Sequence, residues 1–350
     1  MDPSGIFFTR YAADRSLVRT KWQRLALLAF IVLLLVLPAF VGGRWVNICY
    51  SMFITAIAVM GLQICTGYAG QINLGQSAFM GVGAFGCAIA IGAWHWPVLP
   101  AILFGGLAAA AFGGLFGLSA ARIKGFYLAL TTLAAQALFQ FLILNLPASW
   151  FGGAGGLHIE NVAILGLSLE NDVALYYLTL AVLGVMLAGA FGIVRSRHGR
   201  AFEAVRDDDV AAGMMGIDVL VAKMRAFLVG AFYGGIAGSL WVVALRHVSV
   251  EQFTLFNSIW LIAMMIVGGL GSIVGALVGT VLIQLAREGV VTLGPALITV
   301  LPSVGQDFVF ASMNVLLGGI VILFLLFEPK GLMHRIAIFK GAFRRWPFPY

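Results

Sequence analysis

The sequence predicts an all-α membrane protein, a bundle of about ten transmembrane helices. Of its 350 residues, 61% are hydrophobic and only 10% are charged, whereas soluble domains carry roughly 25% charged residues. The mean hydropathy is +1.02. A helix needs about 20 apolar residues to cross a membrane, so ten such segments leave only short loops. The composition therefore excludes a large soluble domain, and with it a nucleotide-binding domain of ordinary size.

Ten apolar runs account for the predicted helices. The first run, residues 25–41, follows a basic segment and resembles a signal peptide, but Pro38–Arg44 offers no convincing cleavage site, so we interpret it as a retained span. The other runs cover residues 46–66, 77–94, 98–120, 125–146, 173–194, 225–246, 257–271, 273–288 and 307–327. The pair 257–271 and 273–288 also fits one long span or a re-entrant hairpin.

The chain is predicted to divide into three parts. Residues 1–24 form a basic N-terminal segment, residues 25–328 form the membrane domain, and residues 329–350 form a basic tail. The membrane domain includes one long polar loop, residues 195–225.

Charge predicts the orientation. If the N-terminus is cytoplasmic, 18 of the 21 Lys and Arg residues fall in cytoplasmic segments, and only Arg44, Arg246 and Arg287 fall outside. Basic residues are concentrated on the cytoplasmic side of membrane proteins, so both termini are predicted to be cytoplasmic. Because the basic residues lie in short loops between spans, the net charge of +7 does not indicate nucleic-acid binding.

Several kinds of chemistry are missing from the sequence. The spans have no ionisable residue near their midpoints, which argues against a carrier with its own proton relay. The histidines lack metal-ligand spacing, and neither a phosphate-binding G-x-x-x-x-G-K-[ST] motif nor a G-x-S-x-G motif occurs. Cys49, Cys65 and Cys87 lie in apolar runs, so disulfides are not expected. We predict neither an enzyme nor a bound metal or cofactor.

Two polar segments are candidates for a solute pathway. Residues 67–77 place glycines and amides between two apolar runs, which fits either a cytoplasmic turn or irregular backbone lining a wet cavity. In the fifth run, Thr132, Gln136 and Gln140 share one helix face, which suits either a weakly binding passage or hydrogen bonds between helices. The predicted pathway residues are Gln71, Asn73, Gln76, Thr131, Thr132 and Gln136.

The polar loop is a candidate docking site for a partner protein. Residues 199–217 are predicted to form a short helix parallel to the membrane, capped by Asp208 or Asp209, with Gly213 and Gly216 allowing a sharp exit. Its predicted apolar docking surface consists of Phe202, Val205, Met214 and Met215. The alternative is an interfacial helix that rests on anionic lipid.

Glycines mark two further features. Gly230, Gly234 and Gly238 fall on one helical stripe and predict close helix packing. The short sequence Gly67-x-x-Gly70-Gln-Ile is similar to Gly268-x-x-Gly271-Ser-Ile, a faint internal echo.

Several ordered motifs carry a family resemblance. They are residues 67–79 (GYAGQINLGQSAF), 81–85 (GVGAF), 125–133 (GFYLALTTL), 199–212 (GRAFEAVRDDDVAA), 215–217 (MGI), 267–275 (VGGLGSIVG) and 327–332 (FEPKGL). Through them, residues 45 to 332 resemble LivM-type permeases of the branched-chain amino acid ABC uptake family.

The resemblance implies a fold, partners and a coupling site. It implies a type II ABC importer-like permease in the inner membrane, paired with a second, LivH-like permease subunit. Two cytoplasmic ATPases would bind the ATP, and an extracytoplasmic binding protein would deliver the solute. Ala211-Ala212-x-x-x-Gly216 resembles an EAA-type segment that docks on an ATPase. The implied coupling residues are Gly199, Arg200, Glu203, Arg206, Asp209, Ala211, Ala212 and Gly216.

The chain also departs from the family pattern. Gln136 stands where relatives often have glutamate, and Val210 stands in place of the glutamate before the two alanines. The solute therefore stays open between a branched-chain amino acid, another amino acid and a different small polar molecule. The alternative function is a self-sufficient facilitator or channel for a small uncharged solute such as urea or an amide, and a membrane-embedded enzyme is less favoured.

Overall fold

The computed structural model describes residues 21–123, 125–159, 163–164, 167–168, 171–300, 315, 318–319, 321–324, 326–328 and 331–345. The described helices are α1 (Lys21–Phe40), α2 (Gly43–Leu62), α3 (Gln76–Gly92), α4 (Val98–Arg122), α5 (Phe126–Asn145), α6 (Ala148–Phe151), α7 (Asp172–Arg195), α8 (Arg197–Asp207), α9 (Asp209–Met214), α10 (Val219–Leu245), α11 (Leu255–Gly268), α12 (Ile273–Val300) and α13 (Leu332–Arg345). A π-helical turn, Gln63–Tyr68, extends α2.

The predicted class, an all-α membrane protein with several spans, is confirmed. Among the described residues, seven helical segments are long and apolar enough to cross a membrane: Gly43–Tyr68, Val98–Ser119, Phe126–Asn145, Asp172–Arg195, Val219–Leu245, Val250–Gly268 and Ile273–Thr292. Two more apolar helices, Arg24–Phe40 and Gln76–Gly92, are shorter. The predicted tenth run, 307–327, lies largely outside the described residues, as does most of the N-terminal segment, so the count of ten stays a prediction.

Two helix boundaries differ from the sequence prediction. Helix α10 begins at Val219 rather than 225, because Asp218 caps it by accepting a hydrogen bond from the Val221 amide at 3.0 Å. Lys223 in its first turns pairs with Asp209, at an N–O distance of 3.2 Å, so a basic residue does not prevent the helix from starting early. Helix α12 continues to Val300, twelve residues past the predicted end at 288.

Residues 257–288 form parts of two helices, which excludes the single long span that the sequence left open. Helices α11 and α12 pack against each other and are joined by a turn at residues 269–272. A Cβ atom added at Gly268 would overlap the carbonyl oxygen of Gly275, and one added at Gly279 would overlap that of Met264. Their glycines thus allow the two backbones to touch.

Helix α10 is the centre of the bundle and packs against α2, α3 and α4. Gly238 of the predicted glycine stripe and the neighbouring Gly235 make close contacts with α3. A Cβ atom added at Gly238 would overlap the carbonyl oxygen of Met80 on α3, and one added at Gly83 would overlap the backbone of Gly235. Without side chains in between, the helices gain dispersion contacts that lipid cannot replace.

Helix α1 is bonded to α7 near Pro38. Pro38 has no amide hydrogen, so it leaves the carbonyl of Leu34 without its helical donor. The Tyr176 hydroxyl on α7 donates to that carbonyl at 2.7 Å, and the neighbouring Tyr177 hydroxyl donates to the carbonyl of Leu35 at 2.9 Å. The bond from Tyr176 therefore satisfies a carbonyl that Pro38 leaves without a helical partner.

The two ends of the bundle differ in charge and structure. At the basic end lie α8, α9 and α13, the last of which the sequence predicted only as a basic tail. At the opposite end, Arg44 forms an ion pair with Glu288, and the antiparallel strands β1 (Leu157–His158) and β4 (His247–Val248) pair with each other. Strands β2 (Ala163–Ile164) and β3 (Leu167–Ser168) form a second antiparallel pair.

Candidate functional site

The segment between α2 and α3 is irregular, and its polar side chains point into the bundle. Gln71 and Asn73 are each 1% exposed, whereas Ile72 between them is 44% exposed. The amide of Asn73 accepts a hydrogen bond from the Gly75 N–H at 2.9 Å and donates to the Gln76 side chain at 2.9 Å. The backbone is irregular here, as both interpretations of residues 67–77 require, and a buried network of amides begins α3.

Gln76 joins three helices at the centre of the bundle. From the start of α3, its Nε2 donates to the carbonyl oxygens of Ala58 on α2 at 3.1 Å and of Gly230 on α10 at 3.2 Å. Its Oε1 accepts from Asn73, and the side chain is fully buried. All of its hydrogen-bonding groups are thus used inside the protein.

Helix α5 adds the predicted polar face. The Thr132 hydroxyl accepts from the Leu74 amide at 3.0 Å, and Gln136 donates to the carbonyl of Phe253 at 2.7 Å. Both side chains are buried. Thr131 lies on a different face and donates to the Tyr127 carbonyl of its own helix at 3.0 Å. The structure thus links Asn73, Gln76 and Thr132 through hydrogen bonds around residues 73–76, whereas Gln71 lies against Cys65 and Gln136 bonds to Phe253.

Some buried polar atoms near this cluster have no hydrogen-bond partner. They are Gln63 Oε1, Gln71 Nε2, Ser77 Oγ and Gln136 Oε1. Buried polar atoms are normally paired, so these four atoms are exceptions. Gln71 also lines a polar cavity of about 330 Å³ at the basic end, together with Arg206, Asp208 and Lys223.

The predicted single helix over 199–217 is in fact two helices, α8 and α9. The Ser196 hydroxyl caps α8 by accepting from the His198 amide at 3.1 Å. Asp208 interrupts the helix and caps α9, accepting from the amides of Val210 at 2.9 Å and Ala211 at 3.1 Å. The predicted exit at Gly216 is present, with φ +82°, whereas Gly213 is helical.

Two of the four residues of the predicted docking surface are buried, and docking by the other two stays a prediction. Phe202 and Val205 are 2% and 5% exposed because they pack α8 onto the bundle. Met214 and Met215 are 85% and 84% exposed. Val210 is also exposed, and Ala212 is buried. The exposed apolar side chains of this segment lie on α9 and at Met215 directly after it, and we call Val210, Ala211, Met214 and Met215 the methionine surface.

Arg206 connects this segment to two glycine turns of the membrane domain. Its Nη1 donates to the carbonyl of Gly67 at 2.9 Å, and its side chain packs against Gly70. A Cβ atom added at Gly271 would lie 3.2 Å from the same Nη1 atom. The two turns that echo each other in sequence therefore meet at one arginine.

The other predicted coupling residues hold different positions. Asp209 forms the ion pair with Lys223, which is only 7% exposed. Gly199 lies directly against the Val194 carbonyl, where no side chain would fit. Arg200 and Glu203 are exposed on α8.

One polar region was missed by sequence reasoning. A cavity of about 240 Å³ near the opposite end is lined by polar residues from four helices, including Thr55, Trp241, Asn257, Gln284 and Arg287. These residues are too far apart along the chain to form a motif. Local signals are limited to pairs one helical turn apart, such as Ser51 and Thr55 or Gln284 and Arg287.

Comparisons with known proteins give consistent relatives. The family model described as the permease component of the branched-chain amino acid transport system matches residues 44–326. The high-affinity branched-chain amino acid transport system permease protein LivM of Escherichia coli K12 is 29% identical, over 94% of this chain and 79% of the relative. LivM of Salmonella typhimurium LT2 gives the same values.

A third relative matches over a shorter region. The autoinducer 2 import system permease protein LsrC of Enterobacter sp. 638 is 30% identical, over 55% of this chain and 57% of the relative. None of the solved structures matches this chain.

Proposed function

Since the chain belongs to the family of branched-chain amino acid transport system permease components, we propose that it is the inner-membrane permease subunit of an ATP-driven ABC importer. It provides the passage for a small polar solute, a branched-chain or other amino acid, that an extracytoplasmic binding protein delivers. A second permease subunit completes the membrane unit, and two ATPases dock at the basic end, which faces the cytoplasm together with both termini.

The methionine surface carries this proposal. Large exposed apolar side chains at the polar end of a membrane protein indicate an interaction site, and methionines adapt well to a partner surface. Helix α9 holds them at its end, after the cap at Asp208 and before the turn at Gly216. Such a short, capped helix presents the side chains as a compact projection that fits a cleft on an ATPase.

The contacts of α8 and α9 explain how a force on this surface reaches the membrane domain. Phe202 packs α8 against the core, and the Asp209–Lys223 ion pair ties α9 to α10. Arg206 contacts the turns that end the α2–α3 and α11–α12 hairpins. A movement of the docked ATPase would therefore shift both hairpins and the central helix together.

The buried amide cluster supports a proposed passage between α2, α3, α5 and α10. An importer that receives cargo from a high-affinity binding protein needs weak binding sites, because a deep energy well would slow release. Uncharged groups with spare hydrogen-bonding capacity, at Gln71 and Gln136, suit that need. The other proposed lining residues are Asn73, Gln76 and Thr132, and Thr131 is left out.

Co-purification tests the docking proposal. The full chain is co-expressed with the proteins encoded beside it, and the amount of ATPase retained is measured. Met214→Asp combined with Met215→Asp should reduce retention by about tenfold, the effect of roughly 1.4 kcal/mol of lost contact. Phe339→Asp is the matched control, because Phe339 is an exposed apolar residue of α13 at the same end, 78% exposed.

The outcomes separate the two interpretations of α9. Wild type and Phe339→Asp should keep the ATPase equally well. If the double variant also keeps it, α9 is an interfacial helix and the docking proposal is wrong. Substitution of Ala212 would be less informative because Ala212 is buried, so an arginine there would disrupt the packing of α9.

A further inference from the structure

Helix α13 at the basic end of the bundle presents an apolar stripe to its surroundings. Leu332, Ile336 and Phe339 are four and three residues apart, so they lie on one face of the helix. Leu332 is half-buried and packs against the core of the bundle, whereas Ile336 is 46% exposed and Phe339 is 78% exposed. The stripe therefore begins in the protein core and continues outside it.

The rest of α13 is basic. The helix contains four Lys and Arg residues and no Asp or Glu among its 14 residues. Lys340 is exposed, and Ala337, which is also exposed, lies on the side of the helix away from Phe339. Arg335, in the first turn, forms an ion pair with Glu328. An apolar stripe with basic flanks is typical of helices that lie in the interface of a membrane.

The contacts of α13 place it at the ends of the spans. Gly331, with φ +78°, turns the chain four residues after Phe327, the end of the last predicted apolar run. A Cβ atom added at Gly331 would overlap the Cα atom of Gly269, in the turn that joins α11 and α12. Helix α13 also packs against both of these helices. Its exposed stripe therefore starts beside the membrane surface.

Charge and position determine which partner fits the stripe. A second copy of α13 would bring its four basic residues against these four, and like charges repel. The methionine surface, the proposed docking site for an ATPase, lies on a different element, α9. Anionic phospholipid offers apolar chains and negative phosphates side by side, next to the ends of the spans. Clusters of basic residues that directly follow a transmembrane helix bind such lipids.

We propose that α13 lies on the leaflet at the basic end and binds anionic phospholipid, with Ile336 and Phe339 among the acyl chains and Lys340 near the phosphates. Because Gly331 packs against Gly269, the bound helix also holds the turn between α11 and α12 in place. The proposal needs neither the solute nor the ATPases, so it stands or falls separately from the importer function.

Spin-label accessibility tests the proposal on the purified full chain in lipid nanodiscs. A nitroxide is attached at Ile336→Cys, on the stripe, or at Ala337→Cys, the control position on the basic side. The background is Cys49→Ser, since Cys65 and Cys87 are buried. Collisions of the label with oxygen, which concentrates in lipid, and with a neutral nickel chelate, which stays in water, are measured. The nanodiscs contain phosphatidylcholine either alone or mixed with phosphatidylglycerol.

With phosphatidylglycerol present, the label at Ile336→Cys should collide mainly with oxygen, and the label at Ala337→Cys mainly with the nickel chelate. In phosphatidylcholine alone, or with phosphatidylglycerol at about 0.5 M salt, the Ile336→Cys label should become more accessible to the nickel chelate, because the attraction to the headgroups is absent or screened. Equal accessibility at the two positions, or no dependence on anionic lipid, would overturn the proposal. So would shielding of the Ile336→Cys label from both reagents, which would indicate contact with protein, such as a second copy.

Substitutions then assign the contacts from the ratio of lipid-bound to released α13, read from the spectrum of the Ile336→Cys label. Lys340→Gln should lower this ratio about fivefold, the effect of one basic residue near an anionic surface, and Phe339→Ala should lower it about tenfold or more. Arg200→Gln removes an exposed charge on α8, at the same end, and should change the ratio less than about twofold. If either α13 variant binds lipid like wild type, the proposal is wrong. Loss of the ATPase from the Phe339→Asp variant would instead assign the stripe to the ATPase.

Discussion

The membrane domain contains two polar regions that use their hydrogen-bonding groups differently. In the amide cluster at the start of α3, Gln76 is bonded to the backbone of two other helices and to Asn73. In the cavity between α2, α10, α11 and α12, Trp241 Nε1 is buried without a partner. In the first region the bonded amides hold helices together, although Gln71 and Gln136 each keep one unpaired atom. In the second, Gln284 bonds to Thr55, and Arg287 lines the cavity close to the polar end of the bundle.

This contrast shows that a polar residue in a membrane helix has no single meaning. What distinguishes the two uses is how many of its donors and acceptors the protein already occupies. Gln136 stands between the extremes, since its Nε2 is bonded to the Phe253 carbonyl and its Oε1 is free. Some substitutions in the amide cluster should therefore mainly lower stability, and others should mainly lower solute uptake.

The largest effect is expected for Gln76→Leu. The change removes both bonds to helix backbones and leaves the Asn73 amide without its acceptor, a loss of about 2 kcal/mol at typical intramembrane hydrogen-bond strengths. Buried Cys65 and Cys87 report unfolding by reaction with a thiol probe during heating. The temperature at the midpoint of unfolding should fall clearly, and solute uptake should fall as well.

Gln140→Leu is the matched control for that change. Gln140 also carries an amide, but its bond to the Phe253 carbonyl is 3.5 Å long and the residue is only half-buried. Its unfolding midpoint should stay close to wild type. If both variants have the same unfolding midpoint, Gln76 does not hold the helices together as its contacts indicate.

A smaller effect on stability is expected for Gln136→Leu, together with a clear effect on transport. One hydrogen bond to Phe253 is lost, about 1 kcal/mol, so the complex should still assemble and retain its ATPase. Uptake of the solute should fall about tenfold if Gln136 lines the passage, because a polar contact of about 1.4 kcal/mol is replaced by an apolar one. If the complex fails to assemble, Gln136 instead stabilises the packing of the helices.

The smallest effect is expected for Thr131→Val. Its hydroxyl bonds only to its own helix, and its side chain lies on a different face from Thr132. The free energy of unfolding should change by less than about 0.5 kcal/mol, and uptake should stay within about twofold of wild type. A loss of uptake as large as that of Gln136→Leu would place Thr131 in the passage after all.

Much of the fold could be predicted from the sequence because long apolar runs have few alternatives in a membrane. The errors lie at the ends of helices, because capping residues determine where a helix begins or ends. Asp218 lets α10 start before the apolar run does, and α13 has a basic amphipathic sequence that reads equally well as a tail. Glycine spacing predicted the close approach of α10 to its neighbours correctly.

The site was less predictable from the sequence. The shared face of Thr132 and Gln136 followed from helical periodicity and is confirmed as buried. Phe202 and Val205 were wrongly assigned to a docking surface, because an apolar face that packs on its own bundle has the same pattern as one that awaits a partner. The cavity could not be predicted at all, since residues such as Trp241 and Arg287 come together only through helix packing.

The most direct test of the central claim is solute uptake into liposomes, with the chain alone and with its co-purified partners, each with and without ATP. If the protein is part of an ATP-driven importer, we expect uptake of a radiolabelled branched-chain amino acid only by the complete assembly, and only with ATP and binding protein present. The Met214→Asp and Met215→Asp double variant should abolish that uptake. Uptake by the chain alone, without ATP, would contradict the account and identify the protein as a facilitator.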